Sequence, residues 1–116
     1  MNGQEAESLA YHYLAGNGLE LLARNYRTRL GEIDLIMKDN ETIVFIEVRY
    51  RKTTTYGSSA ESIDRRKQAK LVSCAQHYLQ KQKMSFSVAS RFDVVAISKE
   101  TGQPGIEWIK NAFQVE

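Results

Sequence analysis

Gly31–Arg51 reads GEIDLIMKDNETIVFIEVRYR, and its pattern decides the fold. Gly31–Lys38 and Thr42–Arg49 are rich in Ile, Val, Leu and Phe, which strands prefer, and Asp39-Asn40 marks a turn between them. Strand side chains alternate between faces. The alternation predicts Ile33, Leu35 and Met37 on one face of the first strand, with Glu32, Asp34 and Ile36 on the other. On the second strand it predicts Val44, Ile46 and Val48 on one face, with Ile43, Phe45, Glu47 and Arg49 on the other. Both faces of both strands are largely apolar, so the hairpin belongs inside a sheet covered on both sides. Two acids, Asp34 and Glu47, then lie in a buried setting, which is costly unless something pairs with them.

Register decides whether those acids meet. Lys38 opposite Ile43 leaves a four-residue turn and sets Asp34 across from Glu47. Lys38 opposite Glu41 leaves a two-residue turn and sets Asp34 diagonal to Glu47. Either way the acids share a face, and a slip of one residue would separate them. Two carboxylates on one buried face repel, so one keeps its proton at neutral pH unless a cation sits between them. A divalent metal is the economical answer.

The chain's 116 residues suit one domain, 1–116, with one core. A formal charge of +2 and a pI near 8.7 permit a nucleic-acid partner without demanding one. Cys74 is the single cysteine, so no internal disulfide forms, which fits a reducing cytoplasm. No apolar run approaches the roughly 20 residues that span a membrane. The N-terminal MNGQEAESLAYHYLAG lacks the basic region of a signal peptide.

Outward from the hairpin, the spacing of Ala6, Leu9, Ala10, Tyr13 and Leu14 predicts a helix over about Gln4–Ala15, stopped by Gly16-Asn17-Gly18. Glu7 lies at the flank of that stripe. Leu19–Tyr26 reads as a strand, and the basic Arg27-Thr28-Arg29 leads into Gly31. A polar, basic loop, Arg51–Ser59, follows the strand that carries Glu47. A second helix is expected over about Ser62–Lys83, capped by Ser62 or Asp64, with Leu71, Cys74, Ala75, Tyr78 and Leu79 buried. Lys67 falls on that same stripe, which suits a lysine that reaches a carboxylate or an anion, or one that snorkels to water. Cys74 reads as core and His77 as surface. Ser90–Ser98 is a strand, and its Asp93 is expected to form a salt bridge with Arg91 or Arg27. A turn over Gly102–Gly105, a short edge strand over Ile106–Lys110 and an apolar anchor at Ala112-Phe113 complete the chain. Helix, three strands, helix, two strands is an α/β or α+β layer of about five strands.

An acid on a helix, an acid on a strand and E-x-(K/R) on the next strand resemble the PD-(D/E)xK nuclease core. More closely, the chain resembles the YraN family of bacterial proteins, which is similar to Holliday-junction-resolvase-like nucleases. The matching pieces are Ala6-Glu7 with Ala10 and Tyr13-Leu14, Arg24-Asn25, GEIDLI at 31–36, VFIEVRYR at 44–51, Lys67-Gln68 with Leu71, Ala75 and Tyr78-Leu79, RFDVVAI at 91–97, and Ala112-Phe113. They cover nearly the whole chain. GEIDLI followed at this distance by FIEVRYR is the specific part.

The resemblance implies an α/β restriction-endonuclease-like core and a metal-dependent nuclease acting on DNA, branched DNA included. It implies Mg²⁺ or Mn²⁺ held by Asp34 and Glu47 with the backbone carbonyl of Val48, and Glu7 holding a water or a second ion. Arg49 stands where the general pattern has lysine. It cannot act as a base, but it can clamp a phosphate with two hydrogen bonds. Lys67 would take over the orienting of water. Arg29, Arg49, Arg51, Lys52, Arg65, Arg66 and Lys70 would form a basic rim that binds the nucleic-acid backbone. Analogy with junction resolvases implies a homodimer. Two other readings compete. One is a non-catalytic nucleic-acid-binding or adaptor module on a degenerate nuclease fold. The other is purely structural: opposite pairing of Asp34 and Glu47 sets Glu32 across from Arg49, an ordinary ion pair.

Overall fold

The structure is a computed structural model that describes residues 1–51, 63–84, 88–100 and 103–114. Its order is α1 (Gly3–Gly16), β1 (Glu20–Thr28), β2 (Gly31–Asp39), β3 (Thr42–Arg51), α2 (Arg65–Lys81), β4 (Ser90–Glu100) and β5 (Gln103–Phe113). Local chemistry sets the helix ends. Asn2 caps α1 by accepting from the Glu5 N–H at 2.9 Å, and Gly18, at φ 95°, turns the chain into β1. Asp64 caps α2 by accepting from the Lys67 N–H at 2.8 Å. The helix is shorter than the Ser62–Lys83 expected, because Lys83 takes a left-handed φ of 56°.

The five strands lie in sequence order. β1, β2 and β3 form an antiparallel meander, β3 and β4 are parallel, and β5 returns antiparallel to β4. α2 makes the crossover that a parallel pair requires. One face of the sheet carries α1, whose Ala6, Ala10 and Leu14 pack with Leu35, Met37, Val44, Ile46, Val95 and Ile97. The other carries α2, whose Leu71, Cys74, Ala75 and Tyr78 pack with Ile36, Phe45, Phe92 and Val94. Such a mixed sheet flanked by two helices is consistent with a restriction-endonuclease-like core.

In the β2–β3 hairpin, Lys38 pairs with Ile43, and Asp39 also pairs with Thr42. The turn therefore shrinks to Asn40-Glu41, with Asn40 at φ 55°. β5 is longer than the Ile106–Lys110 expected. Gln103, Pro104 and Gly105 already pair with β4, so the turn is shorter than Gly102–Gly105. Pro104 is tolerated because β5 is an edge strand. Past a left-handed Asn111, Phe113 still pairs with Phe92 and stacks on it at 4.7 Å.

One expectation about faces fails. Ile33 packs with Ile36 on the α2 side, not with Leu35 and Met37 on the α1 side. Alternation slips between Ile33 and Leu35, and β1 slips with it. Arg24 pairs with Leu35, Tyr26 pairs with Ile33, and Asn25 between them sits at φ 51°. A left-handed residue breaks the pleat, and asparagine tolerates that conformation better than most. The slip falls at Asp34.

Candidate active site

β2 and β3 are paired from Asp39↔Thr42 to Leu35↔Ile46. One residue beyond that pairing, the Asp34 side chain replaces the ladder: its Oδ2 accepts from the Val48 N–H at 2.8 Å. Val48 thus offers Asp34 its amide. Backbone amides point along the sheet rather than out of it, so Asp34 reaches across the gap toward β3. There it meets Glu47, which is buried and shares a hydrogen bond with it.

Burial raises the Asp34 pKa first, and the hydrogen bond to Glu47 raises it further. The Val48 amide works the other way, and the charges of Glu47 and Glu7 add to the rise. Asp34 is pushed up to about 8, so at neutral pH it keeps its proton.

The two helices reach this gap from opposite faces. From α2, Lys67 Nζ lies 3.1 Å from Glu47 Oε2 with its side chain 44% exposed. From α1, Glu7 lies close enough for its charge to be felt at Asp34. Glu7 Oε1 is buried without a hydrogen-bond partner. Its nearest cation, the Arg24 Nη2, is 3.8 Å away, an ion pair but too long for a hydrogen bond. Arg24 is the residue that sequence reasoning gave no role. The signal for it lies in pairing: opposite Leu35, it faces the α1 side.

The orphaned Glu7 oxygen and the proton-holding Asp34 both mark crowded carboxyl groups short of donors, a setting a divalent cation fits. Asp34, Glu47 and Glu7 do not converge on one point, however. Among the described residues, no three His, Cys, Asp or Glu side chains are placed to hold one ion. The arrangement suits Mg²⁺, which binds through one or two carboxylates and keeps several waters. Asp34 and Glu47 are the two that could hold it.

The remaining expected residues divide. Arg49 is half-buried on β3, paired in register with Ala96. Glu32 pairs with Arg27 at 3.5 Å across β1 and β2. Beyond Leu35↔Ile46 the strands no longer pair, so the ladder does not bring Glu32 opposite Arg49. Arg29 is exposed at the β1–β2 tip, and Lys70 is exposed on α2 beside Gly31. Arg65 and Arg66 are exposed in the first turn of α2. Arg65 lines a separate groove with Val72 and Phe113, on the β5 side of the helix. That groove and the one lined by Arg29 share Ser73 on α2. Arg65, Arg66 and Lys67 crowd a helix N-terminus whose dipole already disfavours cations. The Arg51 side chain, Lys52 and most of the Arg51–Ser59 loop lie outside the described residues. No helix among the described residues is long and apolar enough to cross a membrane.

Asp93 has the structural role expected of it. Its carboxylate accepts from Arg91 Nε at 3.0 and 3.2 Å, Trp108 Nε1 at 2.9 Å and the Asn111 N–H at 2.9 Å. Arg91 also bridges to Asp39 at 3.0 Å, whereas Arg27 is occupied by Glu32.

Comparison with known proteins agrees with this chain from end to end. The model of the "Uncharacterised protein family UPF0102" matches residues 6–97. A UPF0102 protein of Nitrosococcus oceani is 53% identical over 114 residues, covering 98% of this chain and 92% of its own length. Another, from Methylococcus capsulatus, is 46% identical across 100% of this chain and 93% of its own. A third, from Pseudomonas putida, is 50% identical over 97% of this chain and 91% of its own. With the family model and whole-length relatives in agreement, the chain belongs to the UPF0102 family, the family of YraN.

Proposed function

We propose that the protein is a metal-dependent nuclease that hydrolyses DNA phosphodiester bonds, with branched DNA among its substrates. The observation that carries this reading is the Asp34–Glu47 pair, two hydrogen-bonded carboxyl groups with Lys67 at 3.1 Å from one and the charge of Glu7 felt at the other. A bound Mg²⁺ or Mn²⁺ would supply an activated water, neutralise phosphoryl oxygens and stabilise the leaving oxygen. Asp34 must give up its proton to serve as a ligand. Glu47 must release or share Lys67, whose ammonium is then available to donate to water or to a phosphoryl oxygen. Arg49 is two residues along the same strand and contributes a fixed positive charge suited to the phosphate. Lysine from the helix thus compensates for arginine on the strand. A homodimer and a cytoplasmic setting belong to this reading.

A second reading, a nucleic-acid-binding or adaptor module, is favoured by one observation. With Asp34 protonated and Glu47 neutralised by Lys67, the site is electrically balanced without metal. Incubation with four-way junction, flap, linear duplex and single-stranded DNA, in Mg²⁺, Mn²⁺ or EDTA, separates the two. At least one substrate should be cut only with metal. Glu47→Ala should lower cutting at least a hundredfold while circular dichroism and DNA affinity hold. DNA bound but never cut by the wild-type protein would establish the adaptor.

A further inference from the structure

A wide groove lies away from the acids, between the β1–β2 tip and α2. It measures about 1060 Å³, and its lining includes Arg27, Arg29, Leu30, Ser73, Gln76 and His77, with no carboxylate. The tip is a built object. The Leu30 N–H donates to Thr28 Oγ1 at 3.1 Å, and that hydroxyl lies 3.1 Å from Cys74 Sγ on α2. Gly31 leaves the tip so close to the helix that a Cβ there would stand 3.4 Å from Lys70 Cβ and 3.6 Å from Cys74 Sγ. Tyr26 and His77 tie the flank, hydroxyl to Nδ1, at 2.6 Å.

On this fixed tip stands Leu30, 61% exposed, with Arg29 beside it. Arg27, two residues before Arg29, is shared with Glu32 at 3.5 Å, while Arg29 and Lys70 have no ion pair among the described residues. A rigid apolar side chain flanked by cations is the chemistry by which proteins part stacked bases and hold the adjoining phosphates. The charge argues against a second copy of the chain as occupant, since two such tips repel and the chain carries +2 overall.

We propose that the β1–β2 tip is a DNA-opening wedge: Leu30 enters an interrupted base step while Arg29 and the α2 side of the groove hold the strand that leads to the Asp34–Glu47 pair. α2 sets the distance. Lys67 touches Glu47, and Gly31, next to Leu30, stands against Lys70 and Cys74. At 1.5 Å per residue those two lie about 5 and about 10 Å along the helix from Lys67. That is roughly one to three base pairs at about 3.4 Å each. The substrate class is therefore duplex DNA with a branch or unpaired step, cut within about three nucleotides of the interruption. The cleavage position rests on the nuclease reading above; the wedge does not.

The test separates them by measuring binding in EDTA. The probes are a duplex carrying one branch, with 2-aminopurine at the branch, and a continuous duplex of the same sequence. Wild-type protein should prefer the branched probe at least tenfold and raise its fluorescence as the base unstacks. Leu30→Ser should bring the preference toward one and remove the fluorescence rise, and Leu30→Met should keep both. Arg29→Glu should weaken both probes alike and lower the salt slope by about one. Equal affinity of the wild-type protein for both probes overturns the wedge, as does a preference that survives Leu30→Ser. A change in sedimentation of Leu30→Ser with no change in DNA preference also overturns it, in favour of contact between copies. With Mg²⁺, cutting without preference removes the wedge and leaves the nuclease. Preference without cutting does the reverse.

Discussion

At the start of β4, Asp93 is met by donors, whereas Asp34, at the gap between β2 and β3, is met mainly by other carboxylates. Asp93 is 2% exposed, and a guanidinium, an indole and a backbone amide all donate to it. Asp34 has one backbone amide, and beyond it Glu47 and Glu7. Both are acids in an apolar sheet. Donors around a buried acid stabilise its charge and fix the chain. Acids around a buried acid suppress its charge, and the fold gains nothing from keeping them there. Surroundings, more than burial, therefore mark Asp34 as the one suited to chemistry.

Three measurements break or sharpen this contrast. Asp93→Ala should cost about 3–5 kcal/mol in urea denaturation, because the Arg91 charge, the Trp108 N–H and the Asn111 N–H lose their partner. A loss below about 1 kcal/mol would erase the difference between the two acids.

Next is metal binding. A divalent ion needs the Asp34 carboxylate, and Asp34 keeps its proton up to about 8. Binding near pH 7 should release about one proton, and affinity should climb up to tenfold per pH unit before levelling off near pH 8. Calorimetry in buffers of different ionisation enthalpy reads the proton directly. Affinity independent of pH would remove Asp34 from the ligand set.

The third effect is on the pH dependence of stability. The Asp34 pKa is raised from 3.8 to about 8 by folding, so between those values the native state binds more protons than the unfolded chain. Stability from this group is fully present below about pH 4 and is lost as pH rises toward 8. Asp34→Asn cannot ionise. Its carbonyl can still accept from Val48, and its amide can donate to Glu47. The variant should therefore be more stable than wild type at pH 8, with the gap shrinking toward pH 4. An equal gap at both pH values would mean that ionisation plays no part.

Much of this was legible in the sequence, for reasons that also explain the failures. Apolar residues on both faces of Gly31–Arg51 call for a sheet covered twice, and two helices supply the covers. Lys67 on an apolar stripe called for a carboxylate, an anion or an escape to water, and it reaches Glu47 while remaining partly exposed. Ile33 was misplaced because strict alternation ignores backbone breaks. The signal was Asn25, a residue that enters left-handed conformations at low cost. The Arg24–Glu7 contact was hidden for another reason: periodicity shows that a helix covers a face but not which face. The full length of β5 was missed because a left-handed Asn111 resembles an end, yet pairing resumes at Phe113. Arg65 and Arg29 line two different grooves, which share Ser73, and spacing along the chain does not show which groove a cation joins.

The mixed sheet also sets an order of assembly. β1–β2 and β2–β3 close across Arg29-Leu30 and Asn40-Glu41, so their contacts are local. β3–β4 must join Ile43 to Ser90 around the whole of α2. Local contacts form first because long loops cost entropy before their contacts repay it. The meander alone brings Asp34 and Glu47 together, and Lys67 arrives only with the crossover. The chain thus assembles its repelling pair ahead of the cation that relieves it. Above pH 8, stopped-flow experiments should find refolding slowed more than unfolding is accelerated, and Asp34→Asn should remove that difference.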